Sequence, residues 1–185
     1  IIQGWVELNL IQYLQRRNPS VPGIVDKLYP PKERNLEKVK KYWKLLVSIK
    51  PVCEIYGENS LNEKNISIDH FVPWSYVAHD ELWNLTPTTR SINSSKSSSL
   101  PDWNKYFPLL CKMEYLSYEL MWEYPEVHKA FDKCAKEHLN NQEIRHKLYQ
   151  QGLSEREFSE RLEEVILPVY KSAKSMGFSN WRLKG

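Results

Sequence analysis

The chain has 185 residues, 41% hydrophobic and 26% charged, with a formal charge of +3 and a pI of about 8.6. At this length roughly 70% of the unfolded surface can be buried, and the composition is globular, neither disordered nor fibrous. No stretch approaches the ~18 uninterrupted apolar residues of a membrane span, no period marks a solenoid, and the small basic excess permits a nucleic-acid partner without demanding one.

The opening IIQGWVEL has no initiator Met and no signal-peptide pattern, so we expect a piece of a longer chain with an additional N-terminal domain. Residues 5–17, WVELNLIQYLQRR, predict a first helix stopped by NPSVPG at 18–23, and Pro30 and Pro31 mark a linker-like stretch. Leu36, Val39, Trp43, Leu46 and Val47 then recur at helical spacing, ended by Pro51. Lys38, Lys40, Lys41 and Lys44 lie between them, as a solvated face or a rail for a nucleic-acid backbone.

From Cys53 to Leu100 the texture is polar. Residues 57–65 predict a loop, ISIDHF at 66–71 alternates like a short strand, WNLTPT at 83–88 is its candidate partner, and RSINSSKSS at 90–98 a short helix. Beyond Pro101, Leu109, Met113, Leu116 and Leu120 line a helix that ends before Pro125, and one more helix is expected from 125 to about 150. A last helix starts at a capping box, Ser154 with Glu157, and a Leu153–Phe158 staple, with a kink expected at Pro168. His79 is expected on an exposed connection, and His128, His138 and His146 on helix surfaces.

The expected fold is therefore α+β and mostly helical, one domain over 1–185. N-terminal helices run to residue 50, a small α/β core covers 51–101, and helices fill 102–185. Cys53, Cys111 and Cys134 are odd in number, widely separated and without zinc-ligand spacing, which favours reduced thiols in an intracellular protein.

Chemistry concentrates in IDHFVPWSYVAHDELWNLTPTTRSINSSKSSSLP, residues 68–101. Its fixed points are Asp69, His70, Pro73, Asn84, Asn93 and Lys96. Attack on a phosphodiester needs a base that titrates near neutrality, which histidine offers. The crowded phosphate and the leaving oxygen need a hard cation, and hard cations prefer oxygen ligands such as Asp and Asn. A lysine adds a point charge.

The segment resembles the HNH endonuclease family, also called the His-Me finger or ββα-metal fold, over about residues 51–101. The order Asp-His, Asn-Leu, Asn-x-x-Lys, Leu-Pro is also similar to the HNH domain of RNA-guided CRISPR nucleases. The resemblance implies roles residue by residue. His70 would be the general base, and Asp69 and Asn93 the protein ligands of one Mg²⁺ or Mn²⁺ ion. Asn84 would tie the long 71–83 connection and hold His70, and Lys96 would contact the phosphate. It further implies hydrolysis of DNA, double-stranded by default, to 5′-phosphate and 3′-hydroxyl ends. A cytoplasmic bacterial enzyme of restriction or anti-phage defence, working as a monomer or a homodimer, would fit. The alternative is a degenerate HNH module that binds nucleic acid or a partner without cleaving. Many family members carry two Cys pairs around a structural zinc; Cys53 here stands alone, so no structural zinc is expected, and aromatics such as Trp43, Tyr56, Trp74 and Trp83 are expected to supply the core instead.

One geometric condition follows from strand geometry alone. Neighbouring side chains on a regular strand face opposite ways, so Asp69 and His70 share one phosphate only if the backbone departs from a strand at 69–72.

Overall fold

The computed structural model describes residues 2–17, 24–28, 35–139 and 141–183. The expected stop at 18–23 and the linker around Pro30 and Pro31 lie outside them. The N-terminal helices are α1 (Ile2–Arg17), α2 (Ile24–Leu28) and α3 (Glu37–Ile49). On α3 the apolar side chains at Val39, Tyr42, Trp43 and Leu46 fall on one face and are buried.

The polar middle forms a hairpin with a helix behind it. Strand β1 (Ile66–His70) pairs antiparallel with β2 (Leu85–Thr89), in a register that sets Asp69 opposite Thr86 and His70 opposite Leu85. Between them come the short helix α4 (Trp74–Val77) and a 3-10 turn at Leu82–Asn84. Helix α5 (Arg90–Lys96) follows β2 directly, capped by the Thr89 hydroxyl.

The helical remainder packs around this unit. It comprises β3 (Leu100–Pro101), α6 (Trp103–Glu123), α7 (Pro125–His138), α8 (Gln142–Tyr149), α9 (Glu155–Ser175) and β4 (Asn180–Trp181). Buried apolar side chains from Val39 to Ala173 form one cluster, shared by the helices and the hairpin. The capping box of α9 is complete: the Glu157 carboxylate accepts from the Ser154 amide at 2.9 Å, and the Ser154 hydroxyl accepts from the Glu157 amide at 3.3 Å. No helix among the described residues is long and apolar enough to cross a membrane.

Four sequence expectations change. The single helix over 125–150 is two, because the Asn141 side chain accepts from the amides of Glu143 and Ile144 and starts α8 afresh. The partner strand begins at Leu85, not Trp83, because 82–84 is wound into a turn. Strand β4, parallel to β3, carried no alternating pattern to announce it. Of the four aromatics, Trp43, Tyr56 and Trp83 are buried, while Trp74 is half-buried.

Candidate active site

The site is built on the last residues of β1. Ser67 and Asp69 point to the same face of the strand, and α5 covers that face with Asn93 and Lys96, which are one helical turn apart. Asn93 donates from Nδ2 to the Ile68 carbonyl at 2.9 Å and to the Ser67 hydroxyl at 3.1 Å. Both amide protons are thereby used, which leaves Oδ1 as the acceptor end.

Lys96 does not reach outward as expected. It is wholly buried, and its ammonium donates to the His70 carbonyl at 2.7 Å and to both Asp69 oxygens at 3.0 and 3.2 Å. The expected phosphate contact is replaced by an internal one: an ammonium enclosed at the foot of β1 is spent on the strand that carries the candidate residues.

Asp69 has a second partner, and this one is neutral. The Tyr56 hydroxyl donates to Oδ2 at 2.7 Å. Burial, and then the Asp69 charge, push the Tyr56 phenol well above its ordinary pKa, so it stays a donor. Tyr56 is held edge-on by Tyr106 and Trp181, so β4 braces the back of the site from the far end of the chain. The loop that presents Tyr56 is tied by one buried carboxylate. Glu54 accepts from the amides of Tyr56, Gly57 and Asn59 and from the Asn59 side chain, at 2.7–3.0 Å. Gly57 lets this loop close: a Cβ there would lie 2.7 Å from Leu183 and 3.1 Å from the Glu54 carboxylate.

His70 lies on the opposite face from Asp69. Its Nε2 is 2.7 Å from Oδ1 of Asp80, ten residues on. The strand pairs regularly through His70, and the chain bends only at residues 71–72 before Pro73. The departure from strand geometry thus begins after His70, not at Asp69, and the two side chains diverge to separate partners. Asn84 fixes that bend. It is fully buried, accepts from the Val72 amide at 2.7 Å, donates to the Val72 carbonyl at 2.9 Å, and accepts from the Phe71 amide on its own carbonyl at 2.9 Å.

Residues outside the motif also belong here. Asp80, Tyr56 and His138 were not singled out by sequence reasoning as site residues. Asp80 sits beside His79 in the connection, where nothing distinguishes it, and Tyr56 looks like any core aromatic. His138 was expected on a surface but is buried, with Nδ1 2.9 Å from the Asp80 carbonyl. His79 is half-buried edge-on to Trp83, where an exposed position was expected. His128 is also half-buried, and His146 is exposed.

The donor set can be tested for a hard cation. Among the described residues no group of three or more His, Cys, Asp or Glu side chains is placed to hold a metal. What the site offers is one carboxylate and one amide oxygen, both hard donors. A carboxylate has about four lone-pair directions, and Tyr56 and Lys96 occupy three at Asp69, so one remains on Oδ1. With the Oδ1 end of Asn93, the donors fit a magnesium-type ion that keeps most of its ligands as water and phosphate.

Residues 54–102 match a family model described as HNH endonuclease. No curated protein and no solved structure matches the chain. The matched span takes in the Glu54-tied loop, the hairpin with Asp69 and His70, and helix α5 with Asn93 and Lys96. By that match and that strand–strand–helix unit, residues 54–102 are an HNH endonuclease-like segment within the chain.

Proposed function

We propose that the protein is a metal-dependent endonuclease that hydrolyses DNA with His70 as general base. The HNH endonuclease match over residues 54–102 suggests nuclease activity and a nucleic-acid substrate in general, and HNH nucleases generally use divalent metal ions. The observation that carries the finer reading is the His70–Asp80 contact at 2.7 Å. A carboxylate accepts, so Nε2 carries the proton and Nδ1 is the nitrogen that takes one from water. The resulting hydroxide attacks phosphorus, the bond to the 3′ oxygen breaks, that oxygen takes a proton from water, and 5′-phosphate and 3′-hydroxyl ends result.

Asp69 and Asn93 would hold the cation, Mg²⁺ or Mn²⁺, which supplies Lewis acidity at the phosphate and at the leaving oxygen. Lys96 and Tyr56 hold the Asp69 carboxylate in one orientation. Asn84 fixes the bend beyond His70; because Asp69 and His70 leave opposite faces of β1, the reading requires the phosphate to sit across the end of that strand. Double-stranded DNA, a role in bacterial restriction or defence, a cytoplasmic setting and pairing of two chains to cut both strands complete the proposal by resemblance.

A second reading is favoured by one observation: Asp69 and His70 are each only 4% exposed. A module that binds nucleic acid or a partner without cleaving it has no need to open them. A supercoiled-plasmid assay with Mg²⁺, Mn²⁺ or EDTA, with wild type beside His70→Ala, separates the two. Metal-dependent nicking or linearisation that is lost in the variant is the expected result. Equal cleavage by the variant removes His70 as the base, and plasmid retardation without cleavage by wild type supports the binding module.

A further inference from the structure

We propose that His138, at the end of α7, is a positioning residue that sets the ring of His70 by holding Asp80. The proposal rests on the reading of His70 as general base and carries it into a layer of the fold outside the matched family span.

The Asp80 carbonyl can only accept, so the His138 nitrogen 2.9 Å away, Nδ1, is the donor. Backbone bonds anchor the connection before and after this point: the Ala78 amide donates to the Trp74 carbonyl, and the Glu81 carbonyl accepts from the Asn84 amide. Between those anchors His138 pins the peptide whose side chain faces His70. A 2.7 Å contact from carboxylate to imidazole is directional, and a swing of the Asp80 backbone would carry Oδ1 away from Nε2.

His138 is a costly residue for mere packing. It is 5% exposed, and its Nε2 has no hydrogen-bond partner among the described residues. A buried unpartnered nitrogen costs stability that an apolar side chain of similar size would not. The Nδ1 bond to Asp80 is what the imidazole supplies and leucine could not. The two histidines therefore take opposite tautomers, Nδ1–H at His138 and Nε2–H at His70, with Asp80 accepting from both, one through its backbone and one through its side chain.

The test compares His138→Asn with His138→Gln in the full chain. The Asn amide nitrogen is attached at Cγ, as Nδ1 is, and can keep the bond. The Gln amide nitrogen lies one bond farther out, near the place of Nε2, and cannot. Long-range ¹H–¹⁵N spectra of the imidazoles report the tautomers without any need for activity. Wild type is expected to show the opposite pair, and a His70 ring in the Nδ1–H form overturns the proposal with no variant required.

In His138→Asn the His70 ring should keep its Nε2–H signature and plasmid cleavage should stay within about threefold of wild type. In His138→Gln the signature should be lost and kcat should fall roughly 10- to 100-fold at nearly constant KM, the size of effect seen when a supporting hydrogen bond to a reacting group is lost. Equal behaviour of the two variants overturns the proposal, since a purely structural role has no reason to tell Asn from Gln in this direction. A His70 signature that shifts in His138→Gln while cleavage is unchanged keeps the positioning and removes His70 as the base. Melting curves of both variants establish that the comparison is made on folded protein.

Discussion

Lys96 makes the sharpest test of how the site is supported. Its ammonium is fully buried and its partners are the Asp69 carboxylate and the His70 carbonyl. Lys96→Met keeps the length of the aliphatic stem and removes the charge, so the cavity term is small and the electrostatic one dominates. Asp69 is then left as a buried carboxylate with only the Tyr56 hydroxyl donating to it among the contacts described above. Breaking a buried pair from one side costs about 3–5 kcal/mol. With a urea m-value of about 2 kcal/mol/M for a chain of this size, the unfolding midpoint should fall by roughly 1.5–2.5 M. Added salt should barely change the difference, because an enclosed pair is poorly screened. The double variant Lys96→Met with Asp69→Asn should recover part of the loss, which a double-mutant cycle measures directly. A midpoint for Lys96→Met within about 0.5 M of wild type, by the same m-value, would refute the internal ion pair and return Lys96 to the phosphate-facing role expected from sequence.

Three further outcomes follow from other contacts. Asn84→Ala strips both partners from the Val72 peptide and should cost about 2–4 kcal/mol in urea unfolding, with cleavage falling alongside; unchanged stability would mean that the bend holds itself. Burial holds the Glu114 carboxyl well above its ordinary pKa, so the folded state favours the protonated form. The stability this contributes is complete below the ordinary carboxylate range and is lost as pH rises through the raised value; the melting point of Glu114→Gln relative to wild type should therefore climb from pH 5 to pH 8, and a constant gap would count against it. Ser154→Ala removes one side of the α9 capping box and should cost about 1 kcal/mol, or roughly 2–4 °C in melting temperature.

Local signals were legible where a single stretch of chain contains the whole cause. The α9 start could be located because Ser154 and Glu157 are three residues apart and their bonds are reciprocal. The α3 face was visible because period 3.6 needs no distant partner. The hairpin and α5 followed from alternation and from the motif order. What stayed hidden depends on residues far apart in sequence. Lys96 carried the right identity and spacing, but its direction is set by Asp69 across 26 intervening positions, and no periodicity encodes that choice. His138 looked like a polar residue near the end of a solvated helix until Asp80, 58 residues earlier, gave its Nδ1 a partner. Strand β4 is two residues long and pairs with a strand equally short, below the length at which alternation means anything.

The Glu54 clasp bears on the order in which the molecule assembles. Its bonds join residues two to five positions apart, so closing it costs little chain entropy, whereas the ion pair of Asp69 must wait for Lys96, 27 residues on. The wall that carries Tyr56 is therefore expected to form early, with the β1–β2 hairpin docking against a surface already in place. In a chevron measurement, Glu54→Gln should then slow refolding, while Lys96→Met should act chiefly on the unfolding limb. The reverse assignment would mean that the hairpin is the nucleus and the loop merely wraps it.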